Sequence, residues 1–264
     1  MKTPIDWKND LHASAEKALQ CLDLTSLNDA DTEADIARLC ARAQGPHGNV
    51  AAVCVWPRLA AFARSQLPAS VAVAAVANFP DGSSDIQRAV RDTQEIVQAG
   101  AQEVDVVLPW RQLLSGDSAG PALLLQAVRK ACTGLRLKVI LETGELNSDA
   151  AIAQASRIAL DCGADFLKTS TGKTATSATP QAAHILLTSI AQDSKLREVT
   201  GFKPSGGIRT VADAATYLWI TQEILGPQAI TPQRFRIGAS SVLTDIEAVL
   251  SGTTPTSAAA PGSY

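Results

Sequence analysis

Two lysines sit inside short segments that are otherwise apolar, Lys168 in FLKTS and Lys203 in GFKPS. A charge in such surroundings must be paired or functional, because burying it alone is very costly. An ordinary lysine, with a pKa of about 10.4, is neutral in roughly one molecule in 2,500 at pH 7, and only the neutral amine is a nucleophile. Bringing that pKa to 7 takes about 4.6 kcal/mol. A second ammonium about 5 Å away, through an effective dielectric near 20, supplies roughly 3.3 kcal/mol, and partial desolvation supplies the remainder. Adjacent parallel strands lie about 4.8 Å apart, so lysines on neighbouring strands suit this arrangement. Such a pair titrates as a unit, which leaves open which lysine gives up its proton. The competing reading makes each lysine half of a buried ion pair with Asp105, Glu142 or Asp23.

Asp105, in EVDVVLP, is the carboxylate best suited to moving protons, with Asp23, in LDLTSLN, as an auxiliary. Lys138 shares a strand face with Ile140 and Glu142 by period-two alternation, and it either orients Asp105 or simply pairs with it. Three neighbouring loops are rich in small residues: STGK with Thr171, Gly172 and Lys173; SGGIRT with Gly206, Gly207 and Arg209; and GASS with Gly238, Ser240 and Ser241. Glycines admit an anion close to the backbone, and a following helix N-terminus offers free N–H groups, so these loops predict a phosphate site. His12, His47 and His184 are scattered and no metal is expected. Cys54 reads chiefly as core packing.

The elements that must position these residues alternate along the chain. Strands are expected at 18–25, 49–56, 71–79, 102–109, 136–143, 165–170, 199–205 and 234–239. Helices are expected near 31–44, 57–67, 84–99, 119–132, 147–162, 179–193, 210–224 and 242–250. Asn28, Ser84, Asn147 and Thr210 precede periodic segments as candidate caps, and Pro57 and Pro180 suit first-turn positions. Strands two to five are nearly continuous apolar runs, as expected when both faces are buried. Eight units without GxGxxG after the first strand favour an α/β (β/α)8 TIM barrel over a doubly wound sheet. The active site then lies at the C-terminal strand ends: Asp23, Cys54, Asn78, Asp105, Glu142, Lys168, Lys203 and Gly238. The expected organisation is one barrel domain over 1–251, with an extra helix at about 9–17 that could plug the base, and a flexible tail at 252–264.

The chain has 264 residues, a net charge of −3 and no basic run, so neither nucleic acid nor an anionic membrane is an expected partner. Its five cysteines show no CxxC spacing and fit free thiols in a reducing compartment. No signal peptide or membrane span is read, and the expected location is cytoplasmic. An isomerase on the same frame would need no amine, and a binding-only barrel no turnover. Both stay open on these residues alone.

LDLTSLN, VCVWP, NFPDG, EVDVVLPW, LKVILETGEL, DFLKTSTGK, GFKPSGGIRT and IGASS together resemble the deoxyribose-phosphate aldolase family, in family order from about residue 20 to 250. The resemblance implies a class I aldolase, acting without cofactor. It would cleave 2-deoxy-D-ribose 5-phosphate reversibly to D-glyceraldehyde 3-phosphate and acetaldehyde. The Schiff-base lysine falls on Lys168, the proton-relaying lysine on Lys203 and the acid/base aspartate on Asp105. Phosphate contacts fall on Gly172, Lys173, Gly206, Gly207, Ser240 and Ser241. Family members with a long tail end in a tyrosine that can reach the site, and this chain ends in Tyr264. Trp56 and Trp110 stand where tyrosine is common. A homodimer is a further family-based expectation.

Overall fold

A computed structural model of the chain describes residues 5–146 and 148–253. The expectations for Asn147, Tyr264 and nearly all of the tail lie outside the described residues. Eight parallel strands form the wall: β1 (Leu22–Thr25), β2 (Ala52–Val55), β3 (Ala72–Ala77), β4 (Glu103–Val107), β5 (Arg136–Ile140), β6 (Phe166–Lys168), β7 (Gly201–Lys203) and β8 (Ile237–Ala239). Neighbours pair in chain order, with β8 returning beside β1. Isolated parallel bridges, Phe202 to Phe235 and Ser205 to Gly238, link β7 to the β8 segment. This is the expected TIM barrel.

Helices α1 (Leu11–Gln20), α2 (Glu33–Arg42), α3 (Pro57–Gln66), α4 (Ile86–Gln98), α5 (Ala119–Ala131), α6 (Asp149–Asp161), α7 (Pro180–Ala191), α8 (Val211–Leu225) and α9 (Val242–Leu250) cover the sheet. With helices outside and side chains filling the interior, almost every strand residue is buried, which explains the near-continuous apolar runs. The caps fall one to four residues later than several of the expected positions. Thr32 forms a capping box with Asp35, while Asn28 instead bonds Asp31 in the preceding loop. Asp85 rather than Ser84 caps α4, and Ser148 caps α6. Thr210 caps α8 as expected, and both prolines occupy first-turn positions.

Every strand is shorter than its expected run, and for two of them a neighbouring helical segment marks where the strand begins. Residues 18–20 finish α1, because Ala15, Ala18 and Leu19 form a buried helical face. Leu196–Val199 turns helical ahead of β7, its first N–H groups held by the Asp193 carboxylate. The extra N-terminal helix exists but does not plug the base. It packs on α8 and α9, and Trp7 just before it donates from Nε1 to Gln222 of α8 at 2.9 Å. The floor holds an open depression of about 640 Å³, lined by Gln20, Asn49, Gln102, Arg136 and Arg236 among others.

Candidate active site

Register decides which side chains meet. Lys168 on β6 lies directly opposite Lys203 on β7, and Asp105 on β4 opposite Lys138 on β5. All four project into the barrel interior and are buried. Asp105 collects three ammonium groups. Its Oδ1 accepts from Lys138 at 2.7 Å, and its Oδ2 accepts from Lys168 at 2.9 Å and from Lys203 at 2.8 Å. Two amines sharing one oxygen cannot be farther apart than those two bonds together, so the lysines do meet. Asp23 accepts from Lys203 at 2.5 Å and lies 3.7 Å from Lys138. The catalytic reading and the ion-pair reading therefore describe one cluster.

The structure separates the two lysines. Burial pushes the Lys168 ammonium down, Asp105 partly restores it, Lys203 lowers it again, and the net shift is downward. Burial acts on Lys203 too, but Asp105 and Asp23 outweigh it and hold the group charged. Lys138 is likewise raised by Asp105 and Glu103 against burial. Among the described residues, Lys168 has a single carboxylate within ion-pair distance, whereas Lys203 has two and Lys138 three. Of the three interior lysines, Lys168 is the one shifted toward the neutral amine. Desolvation, rather than the neighbouring ammonium stressed by the sequence argument, is the larger cause.

The carboxylates respond in the opposite sense. Burial pushes Asp105 up, but its three lysines hold it well below the ordinary range. Asp23 is lowered against burial by Arg236, Lys203 and Lys138, and Glu103 by Lys138 and Arg236. Groups with depressed folded pKa values contribute stability that is fully present above their unfolded values, near 4, and is lost as pH falls through the folded values. The interior is therefore expected to survive to acid pH, with the urea midpoint beginning its carboxylate-driven fall only below about pH 4. Urea titrations at successive pH values check this, and a steep loss already between pH 6 and 5 would contradict it.

At the barrel mouth, Glu142 leaves β5 with φ of 57°, in the left-handed region. It makes no ion pair among the described residues. Its carboxylate accepts from the Thr171 N–H at 3.2 Å and hydroxyl at 2.5 Å, and from the Thr174 hydroxyl at 3.3 Å, tying down the loop after β6. Burial pushes its carboxyl up despite these bonds. Lys173 reaches across the mouth to the Leu27 carbonyl at 2.8 Å. Gly172, Gly206 and Gly207 all have φ near +80°. A Cβ on Gly206 would stand 2.5 Å from the Ser177 hydroxyl and 3.3 Å from Gly172 Cα, so the two loops abut. Ser240 and Ser241 enter α9, whose N-terminus has no side-chain cap. Gly238 lies in the wall, where a Cβ would collide with the Ser205 hydroxyl and reach 3.0 Å from Lys203 Cε. Glycine there clears room for the lysine. Arg209 is exposed at the start of α8.

Cys54 is fully buried, with its thiol pushed up by burial and by Asp105. Trp56 packs edge-on against Phe79 and donates to the Asn28 carbonyl at 3.0 Å, and Trp110 is nearly buried. Glu103 and Arg236 were missed by the sequence reading, although they extend the cluster to the floor. Lys138 contacts Glu103 at 2.6 Å, and Arg236 bonds both Asp23 and Glu103. The missed signal was periodicity: Glu103 stands two residues before Asp105, and Arg236 two before Gly238, on the same inward faces. Three buried hydroxyls, of Thr143, Ser170 and Ser205, also have no hydrogen-bond partner among the described residues.

Residues 17–251 match the model of the DeoC/LacD family aldolases. A curated deoxyribose-phosphate aldolase of Agrobacterium fabrum is 47% identical over 249 residues, covering 93% of this chain and 95% of that protein. A crystal structure from Toxoplasma gondii ME49, assigned as a deoxyribose-phosphate aldolase, superposes with a TM-score of 0.84 at 26% identity. It covers 92% of this chain and 96% of that one. The deoxyribose phosphate aldolase of Aeropyrum pernix, described as tetrameric, shares the fold with a TM-score of 0.73 at 24% identity, covering 96% of this chain and 100% of that one.

Proposed function

The chain belongs to the DeoC/LacD family of aldolases, and from that premise we propose that Lys168 opens the reaction by attacking the C1 aldehyde of 2-deoxy-D-ribose 5-phosphate. The neutral Nζ adds to the carbonyl carbon, and loss of water leaves a protonated imine. Removal of the C3 hydroxyl proton lets the C2–C3 bonding electrons flow into the imine, releasing D-glyceraldehyde 3-phosphate and leaving an enamine on Lys168. Protonation at C2 followed by hydrolysis frees acetaldehyde and restores the amine. Each step is reversible and atoms balance without a cofactor.

One observation carries this reading: Lys168 alone, of three interior lysines, is lowered toward neutrality while bonded to a carboxylate that Lys203 also holds. Asp105, through bound water, fits the proton relay, and Lys203 fits the cationic partner that keeps Lys168 neutral and Asp105 ionised. Lys138 and Asp23 serve as positioning groups. The phosphate is read onto Thr171, Gly172, Lys173, Gly206, Gly207, Ser240 and Ser241. What supports this is the run of left-handed glycines and the uncapped N-terminus of α9. Tyr264 belongs to the proposal as an enamine proton donor. A cytoplasmic homodimer completes it, consistent with five free buried cysteines and with no helix, among the described residues, long and apolar enough to cross a membrane.

Borohydride reduction in the presence of 2-deoxy-D-ribose 5-phosphate should fix a secondary amine on Lys168, mapped by peptide mass spectrometry. An adduct on another lysine, or none, overturns the assignment.

A further inference from the structure

The ion pairs around Asp105 do not stop there. They continue as an unbroken column through the barrel: Lys168 and Lys203 on Asp105, Lys203 on Asp23, Lys138 on Asp105 and Glu103, Arg236 on Asp23 and Glu103. Arg236 grips both ends of this lower half, with Nη1 on Asp23 at 2.5 Å and Nη2 on Glu103 at 2.7 Å. It is further anchored by Nε donating to the Pro232 carbonyl. Arg136, partly exposed in the floor depression, completes Glu103 at 2.7 Å. The buried members are three carboxylates (Asp23, Glu103, Asp105) and four cations (Lys138, Lys168, Lys203, Arg236). Among these buried, ion-paired groups the cations outnumber the carboxylates by one, and Lys168, with one carboxylate against two or three for each other cation, is the least compensated.

We propose that Arg236 and Glu103, on the barrel floor and remote from the reacting atoms, are positioning residues that set the protonation state of Lys168 through this charge balance. The inference rests on the Schiff-base reading of Lys168 and deepens it. Arg236 contributes a permanent positive charge that Asp23 and Glu103 absorb. Remove it, and the column carries one surplus negative charge, which the Lys168 ammonium compensates. Remove the Glu103 charge instead, and the surplus is positive, which drives Lys168 further toward the amine. The groups facing Lys168 from the wall are Asp23 on β1, Cys54 on β2, Glu103 and Asp105 on β4, Lys138 on β5, Glu142 just beyond it, Lys203 on β7 and Arg236 ahead of β8. Apart from the substituted residue itself, all of these are kept in each variant. β3 supplies only alanine and valine.

The two substitutions therefore have opposite signs. A unit charge on the order of 10 Å from an amine, at an effective dielectric near 20, moves its titration by about one pH unit. Reductive trapping with acetaldehyde and cyanoborohydride measures this, because acetaldehyde brings no titrating group of its own. The trapping rate on Lys168 rises with pH as the amine deprotonates. In Arg236→Gln its midpoint should move up by about one unit, and in Glu103→Gln down by about one unit. The double variant, whose charge balance is restored, should return near the wild-type midpoint, and Arg236→Lys should hardly move it. Rate constants per trapped molecule report only folded protein, and Glu103→Gln, which keeps size and hydrogen bonding, carries the test should Arg236→Gln fold poorly. Shifts of the same sign, no shift, or a double variant that adds the losses instead of cancelling them overturns the proposal. Failure of the wild type to trap at Lys168 would sink the Schiff-base reading itself, a separable result.

Discussion

Replacing Lys168 by methionine is expected to abolish turnover and yet leave the protein at least as stable as the wild type. The activity loss should reach about 10⁴- to 10⁶-fold, the scale seen when a covalent catalyst loses its nucleophile. No borohydride adduct should form at the site. The stability result follows from the column. Methionine keeps the unbranched length of lysine without its charge, leaving Asp23, Glu103 and Asp105 facing Lys138, Lys203 and Arg236 in equal number. In the wild type, folding moves Lys168 from water, where it is an ammonium, to a site that lowers its pKa. The unfolded chain then binds more protons at this residue than the folded one, at every pH between the lowered value and about 10.5. Wild-type stability accordingly rises with pH in that window, by up to about 1.4 kcal/mol per unit. The methionine variant lacks this slope, so its advantage should grow as pH falls from 10. Urea unfolding at several pH values checks it, and a variant several kcal/mol less stable at pH 7 would count against a neutral Lys168.

Lys203→Leu should cost turnover by at least two orders of magnitude, and raising the pH should recover part of the loss. Lys203 shares Asp105 Oδ2 with Lys168 and also binds Asp23. Its removal takes away the like charge that disfavours the Lys168 ammonium, and it leaves Asp105 with one competitor fewer. A charge lost from about 5 Å, at an effective dielectric near 20, is worth about 3.3 kcal/mol, or roughly 250-fold in the neutral fraction. The proton relay suffers in addition. The kcat–pH profile should shift to alkaline pH, with KM far less affected. Near-normal kcat at pH 7 would remove Lys203 from the mechanism. Stability should fall as well, by about 3–5 kcal/mol, because Asp23 and Asp105 stay buried with a partner missing.

Much of this architecture was legible in the chain. Near-continuous apolar runs such as VAVAAVANF and EVDVV told of burial on both faces, and the helical periodicities between them required a barrel-like wrapping. Where the reading missed, a competing local interaction won. The α1 face formed by Ala15, Ala18 and Leu19 claimed residues 18–20 for a helix, and the Asp193 carboxylate started a helical turn that runs up to Val199, the first residue of the run expected as strand seven. The N-terminal helix found its apolar partner on α8 and α9, leaving the floor open. Glu103 and Arg236 obey the same period-two rule that singles out Asp105 and Lys138, but they lie at the strand ends away from the mouth, the end of a barrel that the active site does not occupy.

What the sequence by itself determined is the order of the strands and which residues share a face on each, because side-chain direction in a strand is a local, period-two property. That suffices to put Lys168, Lys203 and Asp105 in one interior. The distribution of charge within that interior was decided only by tertiary structure. Lys203 stays an ammonium because Asp23, 180 residues away along the chain, bonds it, and Arg236 joins Glu103 across 133 residues. Coulomb energies depend on distance through space and on how much water remains, neither of which is written in local order. Closing the barrel brought those partners together, and with them the difference that lowers Lys168 while Lys203 and Lys138 are raised.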